Sequence, residues 1–340
     1  MTALRTPVNP HGGPDALGVP LHDFSTNSNA CGPCPAAMSA LVHVDASRYP
    51  DPHYTVPRQQ LAAFHSVAAQ RVVLAGSASE FIFRITALVA RQGARAVSVP
   101  LHAYGDYAQA ARAHELTVVR SGELAALHWA CEPSSPLGQP HGLLNWAEAS
   151  GIRVLDCAYA PLRLSGQSSS TPEVAQTVWQ LFTPNKALGL TGVRAAYAIA
   201  PLGADEDVLA LDELCPSWPI GAHGVALLQA WVQPGVQAWL AQSLHMLRIW
   251  RAQQIALCES LGWCCLSSDA NFFCTQPALL SGLTLAHALG GLRAQGIKLR
   301  DTTSFNLPGH VRLGVLPPSA QGALERAWND VCGIYGIDLK

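Results

Sequence analysis

The sequence predicts an α/β fold: a mostly parallel central sheet sandwiched by helices, plus a smaller C-terminal α+β unit. Two observations carry this. Between residues 56 and 200, short unbroken apolar runs alternate with stretches of helical period. That is the pattern of βαβ units whose strands are covered on both faces. After Pro216 the order changes to long helices followed by short strands. The chain of 340 residues is also long enough for two units, at about 150 residues each.

Taken in order, residues 1–35 are rich in Pro, Gly and Asn without a sustained period, and read as an ordered arm. Helix is expected at 59–69, 80–92, 107–114 and 143–150. Strand is expected at 71–75, 94–100, 116–120, 126–131, 153–156, 178–182 and 195–200. The second unit opens with helix over 227–261, broken at Pro234-Gly235. It continues with strands at 263–266 and 272–275, a helix at 283–295, strands at 298–299 and 310–315, and a last helix from Gln321. The organisation expected is an arm (1–35), a large unit (36–225) and a small unit (226–340). Ligands of open α/β sheets gather at the carboxyl ends of strands, which here are Gly76, Pro100, Cys131, Asp156 and Thr183.

Composition narrows the function. Hydrophobic residues make up 49% and charged residues 13%, against about 25% charged in ordinary globular chains. Disorder is thereby excluded, since it needs low hydrophobicity and high charge. With 21 basic and 23 acidic residues, no global positive field exists to hold nucleic acid or an anionic membrane. No apolar stretch is long enough to span a bilayer, and the first residues lack a signal-type apolar region. Ten cysteines, several within apolar runs, fit a reduced chain, so the expectation is a cytoplasmic protein.

The basic residues are lopsided: only Lys186, Lys298 and Lys340 are lysines. Lys298 is expected near the surface and Lys340 is the last residue. Lys186 follows an apolar strand in Leu181-Phe-Thr-Pro-Asn-Lys-Ala-Leu-Gly. A buried lysine is costly and has its pKa pushed down, which suits a Schiff-base amine. Position alone equally allows a lysine snorkelling at a helix start. Asp156 ends the run Gly151-Ile-Arg-Val-Leu-Asp, where it could bind a metal, pair with a cationic ring nitrogen or, most commonly, cap a helix.

Further motifs fall in a fixed order. They are His11-Gly-Gly, Asp23-Phe-Ser-Thr-Asn-Ser-Asn29, Tyr49-Pro-Asp-Pro52, Gly76-Ser-Ala-Ser-Glu80 and Tyr104-Gly-Asp-Tyr107. Then come Cys131-Glu-Pro-Ser-Ser-Pro-Leu-Gly138, Asp156-Cys-Ala-Tyr159, Thr183-Pro-Asn-Lys186, Arg194 and Gly309-His-Val-Arg-Leu-Gly314. Over nearly the whole chain this order resembles the fold-type I enzymes dependent on pyridoxal 5'-phosphate (PLP). These are the aminotransferase class I/II superfamily, with the aspartate aminotransferase fold. Within it, the chain is most similar to histidinol-phosphate aminotransferases and to the threonine-phosphate decarboxylases of cobalamin biosynthesis.

The resemblance implies a role for each residue. Lys186 would hold PLP as an internal aldimine and then move the substrate's proton. Asp156 would keep the pyridine nitrogen protonated, making the ring an electron sink. Tyr159 and Ser135 would touch the ring hydroxyl, Ser135 standing where the family has Asn. Tyr104 would stack on the ring. Ser77, Ala78 and Ser79, with Thr183 and Arg194, would cradle the phosphate at a helix start. Tyr49 would reach the phosphate of a second subunit, implying a homodimer. Arg312 would clamp the substrate carboxylate, and His11, Arg300 and Asn29 are further substrate-binding candidates.

The leading expectation is a PLP-dependent lyase acting on a small amino acid or its phosphate, similar to L-threonine-O-3-phosphate decarboxylase. An aminotransferase of the histidinol-phosphate type is the alternative. Cys31-Gly-Pro-Cys34 spells a redox dithiol motif, but no strand precedes it and its Gly-Pro already fits the other pattern. No histidine spacing suggests a metal site. A ligand-sensing regulator would need a basic helix-turn-helix segment, for which the sequence offers none.

Overall fold

The computed structural model describes residues 11–141 and 150–337, with side chains through residue 333. The arm contributes a two-residue strand, β1 (His22–Asp23), and is followed by helices α1 (Pro35–Val42) and α2 (Thr55–His65). The alternating region then runs β2 (Val72–Ala75), α3 (Ala78–Arg91), β3 (Ala96–Val99), α4 (Gly105–Ala113), β4 (Thr117–Arg120) and β5 (Leu127–Cys131). It continues β6 (Ile152–Asp156), α5 (Pro172–Ala175), β7 (Trp179–Phe182), α6 (Pro184–Ala187), β8 (Ala196–Ile199) and α7 (Asp205–Glu213). The helix expected at 143–150 falls largely on residues 142–149, outside the described residues.

These strands form one seven-stranded sheet in the order β2-β8-β7-β6-β5-β3-β4. All neighbouring pairs are parallel except those of β8, which runs antiparallel to β2 and β7. The period of two explains the unbroken apolar runs. In β2, Val72 and Leu74 enter one core with Tyr197 and Ile199 of β8. Val73 and Ala75 enter the opposite core with Ala196 and Ala198. Helices α3, α4 and α7 cover the second face, while α1, α2 and two later helices cover the first.

Those two are α8 (Ala222–Trp231) and α9 (Pro234–Ser260), and the break between them lies at the expected proline, which takes the first helical position of α9. The remaining elements are β9 (Cys264–Cys265), β10 (Phe272–Gln276), α10 (Leu285–Ala294), β11 (Ile297–Lys298), β12 (Arg300–Asp301), β13 (Val311–Gly314) and α11 (Pro318–Ile337). Strands β12-β13-β10-β9 make an antiparallel sheet packed on the end of α9, α10 and α11 around a third core.

The arm is part of the C-terminal packing: β1 pairs in parallel with β11, and Phe24 is fully buried in the third core. Lys298 lies half-buried near the surface, its Nζ meeting Asp15 Oδ2 at 3.0 Å and the Gly13 carbonyl at 2.6 Å. Arg293 grips the same carboxylate with two bonds of 3.0 and 2.8 Å, and the two cations hold Asp15 well below the usual carboxylate range. Helices α1 and α7 were not anticipated. Helix α7 buries only Val208 and Leu211, too little apolar surface to show a period.

Candidate active site

The carboxyl ends of β5, β6 and β7 face the antiparallel sheet across a cavity of about 300 Å³. Most of the predicted site residues line it: Lys186, Asp156, Tyr159, Tyr104, Thr183, Ser135 and Arg312, with His11, Arg194, Arg300 and the Ser77–Ser79 turn. Of the strand-end residues, Cys131 reaches this cavity while Pro100 lines a smaller one of about 180 Å³ beside it.

Its floor is built by strand-to-helix turns. Ser77 caps α3, its Oγ accepting from Glu80 N–H at 3.1 Å, while Glu80 Oε2 accepts from Gly76 N–H at 3.1 Å. This reciprocal arrangement fixes the turn and presents the start of α3 to the cavity, the geometry that favours anions. Gly76 is required because a Cβ there would lie 2.7 Å from the Pro219 carbonyl oxygen. Arg194 is exposed at the cavity and adds positive charge.

Lys186 sits in α6, directly after β7. Asn185 Oδ1 accepts from the Lys186 N–H at 3.0 Å, and the Lys186 carbonyl accepts from the Asn29 N–H at 2.9 Å. Its Nζ lies 5.4 Å from the Tyr159 ring centroid. Asp156 is buried at the end of β6, where burial pushes its carboxyl up. Opposing that are the Tyr107 O–H at 2.6 Å on Oδ2, the Ala158 N–H at 2.9 Å on Oδ1, and the nearby Lys186 charge. Tyr159 OH accepts from Asn27 Nδ2 at 3.2 Å, which leaves the phenol hydrogen available to a ligand. Tyr104 OH meets Ser79 Oγ at 3.3 Å, and the His11 ring lies 6.3 Å from the Tyr104 ring.

Facing this floor is a wall of two arginines. Arg300 and Arg312 are direct cross-strand neighbours, and both are buried, 7% and 6% exposed. Arg312 donates to Ser135 Oγ and to the Ser25 carbonyl, each at 3.1 Å. Arg300 donates to the Asp301 carbonyl and to Ser304 Oγ, each at 2.8 Å. Both guanidiniums lie about the Phe305 ring, at 4.9 and 5.5 Å. Burial, and then the Arg312 charge, push Arg300 down to about 10. Like charges placed opposite each other destabilise a sheet, so this wall is built for anions.

The cavity also collects buried polar atoms without a protein partner: Thr183 Oγ1, Asn27 Oδ1 and Arg312 Nε. Unpaired buried groups are costly and call for a ligand or solvent. An anion cradle at a helix start, a lysine, a carboxylate at a strand end and a tyrosine with a spare hydrogen together fit the PLP expected from the sequence. Among the described residues no cluster of His, Cys, Asp and Glu could hold a metal ion. No described helix is long and apolar enough to cross a membrane.

Two predicted residues lie elsewhere. Asn29, expected at the substrate, does not line the cavity. Its Nδ2 donates to the Ala187 carbonyl and to Ser243 Oγ, both at 2.9 Å, beneath the lysine turn. Tyr49 is 77% exposed and stacks on Trp218 at 4.5 Å, outside its own chain's cavity. The described cysteines are free thiols. Cys34 is fully buried, and partial burial pushes the Cys31 thiol up, the opposite of what a redox nucleophile needs. Sequence reasoning missed Asn27, Asn185, Tyr107, Ser304 and Phe305. Asn27 stands two residues before Asn29 in the same motif, but only its contact with Tyr159, far along the chain, distinguishes them.

Comparison with known proteins agrees with this geometry. A family model described as aminotransferase class I and II matches residues 20–127 and 129–329. The chain belongs to that family. It is 25% identical over 320 residues to the histidinol-phosphate aminotransferase of Jannaschia sp. (strain CCS1), covering 87% of each chain. Among solved structures, histidinol-phosphate aminotransferase from Sinorhizobium meliloti in complex with pyridoxal-5'-phosphate matches with a TM-score of 0.76 and 20% identity. That match covers 90% of this chain and 89% of the other. L-threonine-O-3-phosphate decarboxylase from Porphyromonas gingivalis matches with a TM-score of 0.75 and 20% identity, covering 91% and 99%. At these identities the structures establish the shared fold, which is the one expected from the sequence.

Proposed function

We propose that this chain is a PLP-dependent aminotransferase of the histidinol-phosphate aminotransferase type, acting on small amino compounds that carry a phosphate or a carboxylate. The observation that carries it is Lys186 and Asp156 on the floor of one cavity, facing the buried Arg300–Arg312 pair. When bound, PLP supplies an electron sink for the bond broken at the substrate's α-carbon. Lys186 Nζ would be the amine that holds the cofactor's aldehyde, and it would also supply the base for the α-proton. Asp156 would stabilise a proton on the ring nitrogen. Tyr159 would donate to the ring hydroxyl, and Ser77, Ala78, Ser79, Thr183 and Arg194 would hold the phosphate. Ser135, whose Oγ accepts from Arg312, supports that arginine and also lines the cavity where the ring would lie.

Arg312, and Arg300 with Ser304, bind the anionic groups of the two substrates through charge-assisted bonds: the phosphate of the amino donor, and in the other half-reaction the two carboxylates of 2-oxoglutarate. His11 stands beside Tyr104 to contact the same groups, and the Asp15 clamp fixes the arm that carries it. Tyr49 and Trp218 form an exposed aromatic pair suited to a second copy, which supports a homodimer as the working unit. The division between the large unit (36–225) and the small unit (226–340) is supported by the separate third core, which the arm (1–35) joins through Phe24.

A second reading, decarboxylation of a phosphorylated amino acid such as L-threonine-O-3-phosphate, is supported by the paired arginines and by the Porphyromonas gingivalis likeness. The two differ in which α-carbon bond is held perpendicular to the ring. PLP-loaded protein is incubated with histidinol phosphate and 2-oxoglutarate, and separately with threonine phosphate. Glutamate formation supports amino transfer. Release of CO2 without glutamate overturns it in favour of the second reading, and neither product overturns both.

A further inference from the structure

Tyr107 is not among the residues lining the main cavity, yet it touches the most consequential carboxylate in it. The side chain is fully buried, and its ring lies face to face with Trp129 at 4.4 Å and 8°. The phenol O–H donates to Asp156 Oδ2 at 2.6 Å, while Oδ1 takes the Ala158 N–H. Burial keeps the Tyr107 phenol protonated, so it acts only as a donor here. The titratable groups around the carboxylate are Tyr107, Lys186, Cys131 and Cys157. Of these, the two thiols stay neutral because burial pushes both up.

We propose that Tyr107 is a positioning residue that holds Asp156 ionised and fixed in orientation toward the cofactor's ring nitrogen. This rests on the PLP reading for its target, but the Tyr107–Asp156 coupling exists in the protein itself. A carboxylate in a dry site keeps its charge only if donors stabilise the charged form. One donor is a backbone N–H set by the turn after β6. The other is a side chain whose ring is locked by Trp129, so the oxygen cannot swing away. Loss of that O–H would favour the protonated carboxyl and weaken its hold on a proton at the ring nitrogen.

Tyr107→Phe keeps the stacked ring and removes only the donor. Its apparent Kd for PLP should rise about tenfold or more, the usual scale for a bond to a charged group. The pH titration of the visible absorbance should move with it. On an Asp156→Asn background, Tyr107→Phe should change neither. In unliganded protein the same pair is read by urea unfolding. Tyr107→Phe should destabilise more at pH 8, where Asp156 is charged, than at pH 4, and the difference should vanish with Asp156→Asn. Equal destabilisation at both pH values, or undiminished effects on the Asp156→Asn background, would overturn the proposal. A wild type that binds no PLP overturns the cofactor reading instead, and the unfolding comparison still decides the role of Tyr107.

Discussion

The floor and the wall of the cavity are built in different ways. Each floor residue stands at or just beyond the carboxyl end of a strand of one sheet: Ser77 after β2, Asp156 on β6, Lys186 after β7. Their positions follow from βαβ geometry and short turns, so local sequence places them. The wall depends on pairing between distant segments. Arg300 faces Arg312 through an antiparallel register, Arg312 is held by Ser25 and Ser135, and Ser25 lies in an arm anchored by Asp15. The difference separates chemistry from recognition. The floor carries the groups that bind cofactor and move protons, and the wall decides which anionic substrate enters.

Substitutions can break that comparison. The largest effect is expected on the floor: Lys186→Ala should lower kcat by about 10²–10⁴-fold, the range for loss of a positioned base, in a steady-state amino-transfer assay. On the wall, Arg312→Gln removes charge from a buried anion site. It should raise KM for the anionic substrate roughly 100-fold with a smaller change in kcat. A variant whose kcat collapses while KM stays fixed would place Arg312 on the floor side of the division.

Asn29→Ala tests the scaffold below the floor. It leaves the Ala187 carbonyl and Ser243 without their partner and should cost about 1–3 kcal/mol in urea unfolding. Substrate KM should hardly move, whereas a true ligand would show the reverse. The smallest effect expected is a pH dependence remote from the site. His65 Nε2 meets Tyr197 OH at 2.8 Å, and Trp231 Nε1 donates to the same oxygen at 3.1 Å, which directs the Tyr197 hydrogen toward the imidazole. Burial pushes His65 down to about 4. The unfolded chain therefore protonates first, near 6.5. Its stabilisation is complete above about pH 6.5 and is lost as pH falls through about 4. Wild type should lose about 1–2 kcal/mol more than His65→Gln between pH 7 and pH 4; parallel losses would contradict it.

The same division explains what could be read from the sequence. The central strands between 71 and 200 were legible because both sheet faces are covered, which writes them as largely apolar runs, whereas the edge strand β4 is mostly exposed. Lys186 stood out because lysine is scarce. Lys298, by contrast, is engaged with Asp15 far along the chain, a pairing no local pattern announces. Asn29 and Asn27 share one motif, and their roles separate only once Tyr159 and Ser243 are in place. Tyr107 stood in view within Tyr104-Gly-Asp-Tyr107. Its bond to Asp156 arises where α4 packs against the sheet, and periodicity alone marks it as core.

The central claim is that Lys186 holds PLP in this cavity. Titration of the unliganded protein with PLP, followed by visible absorbance, tests it most directly. Wild type should develop a band of lysine-bound cofactor at one equivalent per chain, and Lys186→Ala should not. A wild type without that band, or a Lys186→Ala protein that retains it unchanged, would contradict the account.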